Sequence, residues 1–525
     1  MIIRNKIAYI VATFLIVFLQ MSCKNTKTSN ETIGKEKFRP QFHFTPQSNW
    51  MNDPNGMVYY RGEYHLFYQH YPDSTIWGPM HWGHAVSKDL IHWEHLPIAL
   101  YPDSLGYIYS GSAVVDWKNT TGFGSLDNPA MVAIYTYHNI QGEREGRNDF
   151  QSQGIAYSID NGRTWKKNAQ NPVLTNSGIR DFRDPKVFWH KKTQKWIMIL
   201  AAHDRVKLYS SVNLKEWVYE SDFGMEIGAH GGVWECPDLF PLKMEGSVES
   251  KWVMLVSINP GGLNGGSGTQ YFIGDFDGKS FVPDLEETRW LDYGKDNYAG
   301  VTWSDIPEED GRRLFIGWMS NWIYAEKVPT KSWRSAMTLP REIRLVNDGN
   351  HLSIRTLLVK EFDGLKNSLI KLNDKLITGE LEINTHGLNL NSCEIDLVFK
   401  PQEGSLNGHT TSFGVMLEND VSEELKLGYN MLSKQIFINR SKTSSEFKDT
   451  NYLSEDIAPY IFNEEIKMKI ILDASSVEVF VDDGKLTMTN VLFPEESYNK
   501  LSFFSSLGSV ELKAAEFFNV KSIWQ

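Results

Sequence analysis

The phrase Ser87-Lys88-Asp89-Leu90-Ile91-His92-Trp93 returns twice in altered form, as Ser158-Ile159-Asp160-Asn161-Gly162-Arg163-Thr164-Trp165 and as Ser211-Val212-Asn213-Leu214-Lys215-Glu216-Trp217. Each copy reads as a strand end, a turn built on Asp or Asn, and a Trp that opens the next strand. The Trp residues recur about 50–70 positions apart, close to the about 40–50 residues of a four-stranded propeller blade with loop insertions. Short apolar or aromatic runs at 56–60, 195–200 and 251–255 fill the intervals, broken by Gly, Asn, Asp and Pro. From about Phe38 to Arg344 this texture allows five or six blades. After Arg344 the Trp-terminated phrase stops. Residues 356–365 read as a connecting helix, and alternating runs at 467–472 and 476–481 read as a β-sandwich. The chain is therefore expected to be all-β, with a propeller over residues 37–345, a linker over 346–365 and a sandwich over 366–525.

Composition agrees and narrows the function. A length of 525 residues predicts two or three domains. Lys and Arg total 53 against 65 Asp and Glu, a net charge of −12 with no basic stripe, so a nucleic-acid partner has no electrostatic footprint to use. Aromatics are 13% of the chain, with 17 Trp and 22 Tyr, residues that staple β-rich cores or offer flat apolar faces to sugars. Three cysteines, Cys23, Cys236 and Cys393, are too few for a disulfide scaffold.

At the N-terminus Arg4 and Lys6 precede an apolar run over 7–21, which is too short for a membrane span of about 18–20 residues but suits a signal peptide over 1–22. The sequence Leu19-Gln20-Met21-Ser22-Cys23 resembles a bacterial lipoprotein cleavage site, with Gln20 where Leu is usual. Cys23 is thus the expected lipidation site. A polar tether over 23–36 would hold the folded part off the bilayer. Lys24-Asn25-Thr26-Lys27 lacks an acidic run, which points to the periplasmic side of a bacterial envelope.

Three segments share a further design. Asn52-Asp53-Pro54-Asn55-Gly56, Arg183-Asp184-Pro185-Lys186 and Glu235-Cys236-Pro237-Asp238 each put a carboxylate one or two positions before a Pro expected to open an apolar strand. A single Asp-Pro is ordinary turn chemistry. If the three strands are each innermost in a different blade, radial symmetry aims Asp53, Asp184 and Glu235 into one funnel. Paired carboxylates in an aromatic-lined funnel suit glycoside hydrolysis, one attacking or activating water and the other protonating the leaving oxygen.

Trp50-Met51-Asn52-Asp53-Pro54-Asn55-Gly56 resembles the signature of glycoside hydrolase family 32, the invertases, inulinases and levanases. Arg183-Asp184-Pro185 and Trp234-Glu235-Cys236-Pro237 resemble that family's second and third motifs, in order. The resemblance continues through residues 78–84, Tyr109-Ser110-Gly111-Ser112-Ala113, Asp292-Tyr293-Gly294-Lys295-Asp296 and residues 317–322. It implies a five-bladed propeller with a C-terminal sandwich, retaining chemistry on a β-linked fructosyl unit, and no cofactor or metal. By the same resemblance Asp53 is the nucleophile, Glu235 the acid that becomes the base, and Asp184 a transition-state stabiliser. Asn52, Gln69, Trp77, Ser112, Arg183 and Trp318 would line the fructose pocket. The acid must stay protonated near neutral pH while Asp53 stays ionised.

Other signals are weaker. The pairs His81/His84 and His92/His95 have i,i+3 spacing, which on strands points to opposite faces, and no third ligand motif follows. The glycine-rich stretch 260–268 runs into a strand and lacks the Lys-Ser/Thr of a phosphate loop, so it reads as a loop at a blade edge. Cys236 sits beside a carboxylate, which disfavours a thiolate and suggests packing. The expected activity is release of terminal fructose from levan or inulin, and cleavage of sucrose. The rivals are an endo-levanase with the same trio, an inverting pentosan hydrolase and a non-catalytic fructan-binding lipoprotein.

Overall fold

A computed structural model describes residues 33–349, 351–401 and 410–524. The signal peptide and Cys23 lie outside the described residues. The first blade is an antiparallel sheet of Asn49–Tyr60, Glu63–Tyr71, His81–Ser87 and Trp93–Leu100. Blade two follows with Tyr107–Val115, Met131–His138, Gln151–Ser158 and Lys166–Lys167. The third contains Phe182–His190, Lys195–Ala202, Val206–Ser211 and Val218–Phe223. Blade four contains Val233–Lys243, Ser250–Asn259, Gly268–Phe276 and Phe281–Pro283. The fifth contains Tyr298–Thr302, Arg313–Met319, Arg341–Asn347 and Leu352–Leu358. Five blades are thus present, innermost strand first in each.

The recurring Trp phrase is the hairpin between the third and fourth strands of blades one to three. Asp89 Oδ1 accepts the backbone N–H of Ile91 and His92, and Asn213 Oδ1 does the same for Lys215 and Glu216. Asp160 Oδ1 accepts from Thr164. Each copy turns through a left-handed φ: Leu90 at 67°, Asn161 at 56° followed by Gly162 at 77°, and Leu214 at 61°. The Trp93 and Trp165 indoles then donate back to the Leu90 and Gly162 carbonyls at 3.0 and 2.9 Å.

The ring closes at its first strand. Trp333–Arg334 pairs in parallel with Asn49 and Trp50, and Tyr59 and Met57 exchange backbone hydrogen bonds of 2.9 Å with Ser304.

Residues 346–347 and 352–358, expected as linker and the start of a helix, instead belong to the outer strands of blade five. Alternation of Ile343, Leu345 and Ile354 with half-buried polar residues lets these two strands cover the blade's core. Only the 3₁₀ helix Lys360–Leu365 connects the domains.

The C-terminal domain is a sandwich made from one hydrogen-bonded network. The strand Lys500–Val520 belongs to both layers: residues 500–506 pair with Ser412–Glu418, and residues 510–519 pair with Cys393–Pro401. Between them Leu507 takes φ 61°, and the register of the partner Lys366–Glu382 slips at Gly379. That break turns the strand from one layer into the other. Phe413, Val415, Ile436 and Ile438 of one layer meet Ile395, Leu397, Ile470 and Val479 of the other in a shared core, where Cys393 is also buried.

A buried ionic seam joins the domains. Arg341 of blade five donates to Asp292 Oδ2 at 2.8 Å and to Glu478 Oε2 of the sandwich at 2.5 Å. His43 bridges Asp473 and Glu478, 2.7 Å from each. Arg440 of the sandwich binds Asp296 at 2.9 Å. Residues 292–296 are therefore an interdomain clasp.

Candidate active site

Each innermost strand carries a register break: beside Asn52–Asp53 in blade one, at 109–110 in blade two, at 184–185 in blade three, at 236–237 in blade four and at 299–300 in blade five. A bulge re-aims side chains and accommodates Pro inside a strand. Pro54, Pro185 and Pro237 accordingly lie within their strands, correcting the expectation that they open them. Asp184, Cys236 and Ala299 take left-handed φ values of 65°, 46° and 53° at these breaks.

The breaks face one cavity of about 450 Å³ on the propeller axis. Asp53, Asp184 and Glu235 all line it, together with Asn52, Gln69, Trp77 and Arg183. The Trp50 indole donates to Asn52 Oδ1 at 2.7 Å, and the Asn52 amide donates to Asp53 Oδ1 at 2.9 Å. Ser110 Oγ donates to the other Asp53 oxygen at 2.6 Å. Glu235 is gripped from two sides: Arg183 donates twice to Oε1, at 3.2 and 2.9 Å, and the Tyr298 hydroxyl bonds Oε2. Asp184 accepts the Cys236 backbone N–H at 3.0 Å. The Cys236 thiol points between Asp53 and Asp184, 3.6 and 3.7 Å from their carboxylates.

The electrostatics follow from three neighbouring acids, of which Asp184 and Glu235 pair with Arg183 and Asp53 does not. Burial raises Asp184 above the ordinary carboxylate range, Arg183 opposes, and Glu235 and Asp53 add, leaving it at about 7. Burial and then Glu235 also push Asp53 up, against the hydrogen bonds of Ser110 and Asn52. The Cys236 thiol is pushed well up by burial and the three carboxylates, so it stays protonated and non-nucleophilic.

Two expected pocket residues lie elsewhere. Ser112 is buried between blades, donating to the Pro185 carbonyl at 2.9 Å and accepting from Val187 N–H at 3.0 Å. Strand alternation puts residues 110 and 112 on the same side, and the bulge chooses Ser110 for the cavity. Trp318 is fully buried against Trp50, Tyr298 and Trp322. Trp322, four residues on, lines the cavity in its place, alongside Trp77. Ser110 and Trp322 lie inside the family-like stretches 109–113 and 317–322 and Tyr298 two residues after 292–296, but periodicity alone could not choose them over their neighbours. Tyr109, His138, Glu143 and Tyr324 complete the walls.

Comparison with known proteins agrees with this geometry. Residues 43–355 match the glycosyl hydrolases family 32 N-terminal domain, and residues 363–521 match the glycosyl hydrolases family 32 C-terminal domain. The chain is 48% identical over 494 residues to a levanase of Bacillus subtilis, covering 93% of this chain and 71% of that protein. It is 36% identical over 528 residues to the extracellular exo-inulinase of Aspergillus niger, covering 93% and 96%. The crystal structure of exo-inulinase from Aspergillus awamori superimposes with a TM-score of 0.86 at 35% identity, covering 93% of this chain and 99% of that one. With both domain models matched in order, and with the motif carboxylates brought to one cavity, this chain belongs to glycoside hydrolase family 32.

Proposed function

We propose that the protein is a retaining β-fructosidase that removes terminal fructose from levan or inulin and also cleaves sucrose. The observation that carries the reading is the convergence of Asp53, Asp184 and Glu235 with Arg183 at one cavity, where Glu235 has two fixed donors and Asp53 has two others. A cavity of about 450 Å³ is near the lower end of small-molecule sites, which supports binding of a chain end. The similarity to a levanase and to exo-inulinases supports the fructan class.

In the first step Asp53 attacks the anomeric carbon as the glycosidic bond breaks, and Glu235 gives its proton to the leaving oxygen. In the second, Glu235 takes a proton from water, the resulting oxygen nucleophile attacks the same carbon, and the Asp53–sugar bond breaks. Asp184 and Arg183 hold hydroxyls of the fructosyl ring, and Asn52, Gln69, Trp77 and Trp322 complete its walls. Arg183 occupies Glu235 Oε1, which leaves Oε2 to carry the transferred proton.

Product analysis on levan, inulin and sucrose tests the reading. Free fructose from the first minutes, released as the β-anomer in NMR, is the expected result. A ladder of oligosaccharides overturns exo action, and an inverted anomer overturns the mechanism. Glu235→Gln should lose about 10²–10⁴-fold in rate. Asp53→Asn should leave almost none.

Export and lipid anchoring through Cys23 are also inferred, from the charged start, the apolar run and Ser22-Cys23. Wild-type protein should fractionate with membranes and Cys23→Ser should not. Retention of the variant there overturns the lipid anchor.

A further inference from the structure

One wall of the cavity carries a carboxylate that the chemistry above does not use. The second and third strands of blade two are joined through a short helix, α1 (Ile140–Arg144), whose first turn is capped by Asn139 accepting from Gly142 N–H at 2.9 Å. α1 brings Glu143 to the cavity. Its position is fixed by a directional chain. Gln151 Oε1 accepts the Phe182 backbone N–H at 2.7 Å, so its amide nitrogen is the end that meets His138 Nδ1, at 3.3 Å. His138 Nδ1 is therefore the acceptor and Nε2 carries the hydrogen, which it donates to Glu143 Oε2 at 3.1 Å. Burial, with Arg183 adding, lowers His138 to about 3, so the ring donates as a neutral imidazole and leaves the Glu143 charge unneutralised. The nearest cation is Arg180, 3.7 Å from Oε1 and half-exposed.

The same imidazole stacks face to face on Tyr109, with centroids 4.2 Å apart and planes at 8°. Tyr109 is next to Ser110, which holds the nucleophile. The path from Asp53 to Glu143 thus runs through Ser110, Tyr109 and His138, and Glu143 lies on a connection outside the innermost strand. A sugar seated over Asp53 would present its leaving group towards this wall.

We propose that Tyr109, His138 and Glu143 form the leaving-group subsite, with the Glu143 carboxylate accepting hydrogen bonds from the hydroxyls of the sugar unit attached to the terminal fructose. The ligand class is an uncharged polyol ring, for which a pre-positioned anion is a strong acceptor. This inference rests on the β-fructosidase reading. Its test compares a substrate with a sugar leaving group, 1-kestose, against one with a minimal leaving group, methyl β-D-fructofuranoside. In Glu143→Ala the ratio of kcat/KM for 1-kestose to that for the methyl fructoside should fall about tenfold, mainly through KM for 1-kestose. Glu143→Gln keeps an acceptor for His138 and hence the seat of α1, so it should show a smaller fall in the same ratio. An unchanged ratio in both variants overturns the subsite, and so does an equal loss on both substrates, which would assign Glu143 a structural role. Wild-type protein inactive on both substrates would instead overturn the β-fructosidase reading and the subsite with it.

Discussion

At the residue scale the cavity is governed by how many negative charges it can hold. Asp184 and Glu235 share Arg183 while Asp53 adds a third carboxylate without touching it, and Asp184 at about 7 means that the cluster keeps a proton up to neutral pH. Donation to the leaving oxygen needs that proton. The kcat/KM profile should accordingly fall on the alkaline side of about pH 7. Asp184→Asn removes the group that titrates at about 7, so besides lowering the rate it should remove this limb, as a pH–rate titration would show. Tyr298 acts through Glu235 rather than on the substrate. Tyr298→Phe deletes its only fixed partner on Oε2 and should reduce kcat about 10–100-fold with little change in KM. The acids were legible in the sequence because each precedes a Pro in a repeated setting. Ser112 was misplaced because the bulge at 109–110 decides which neighbour reaches the axis, and no periodicity encodes it; Trp318 sits inside a second strand, and the turn that follows carries Trp322 to the cavity instead.

At the scale of elements, the turn between the third and fourth strands recurs because one short acidic or amide side chain can satisfy two or three backbone N–H groups. Three copies were readable from their Trp. The fourth was hidden: Asp277 Oδ1 accepts from Lys279 and Ser280 N–H in the same hairpin of blade four, but Phe281 stands where the others have Trp. Asp89→Ala would strand the Ile91 and His92 N–H groups at a partly exposed turn, costing about 1–2 kcal/mol in denaturant unfolding without changing kcat. The strand Leu352–Leu358 was missed for a different reason. Its segment is short, mixed in polarity and followed directly by the 3₁₀ helix, so the helical end coloured the reading of the whole stretch.

For the whole molecule, the decisive feature is the seam between propeller and sandwich. Burial disfavours the charged His43, but hydrogen bonds to Asp473 and Glu478 outweigh it and raise its pKa to about 9 from an ordinary 6.5. Its contribution to stability is complete below about pH 6.5 and is lost as pH rises through about 9. Burial likewise opposes charge on Glu478, yet Arg341 and His43 hold it down at about 2, so its contribution is present above about 4.5 and is lost as pH falls towards 2. Calorimetry should find the thermal midpoint falling between pH 7 and about 10, less steeply in His43→Gln. Arg341→Met leaves Asp292 buried without its cation and Glu478 with His43 alone, and should cost about 3–5 kcal/mol. The seam also reaches the cavity. Tyr324, which lines it, donates to Asp296 at 2.6 Å, and Asp296 is held by Arg440 from the sandwich. No sequence pattern announced this, because ion pairs far apart along the chain leave no local period.

Ring closure has a consequence in time. The strand that carries Asp53 is translated ahead of the other four innermost strands, yet its edge is fastened only when Ser332, Trp333 and Arg334 reach Asn49 and Trp50. What is made first is closed last: until the fifth blade is made, Asn52 and Ser110 can already hold Asp53, but the cavity around it lacks the wall that Trp322 and Tyr324 supply.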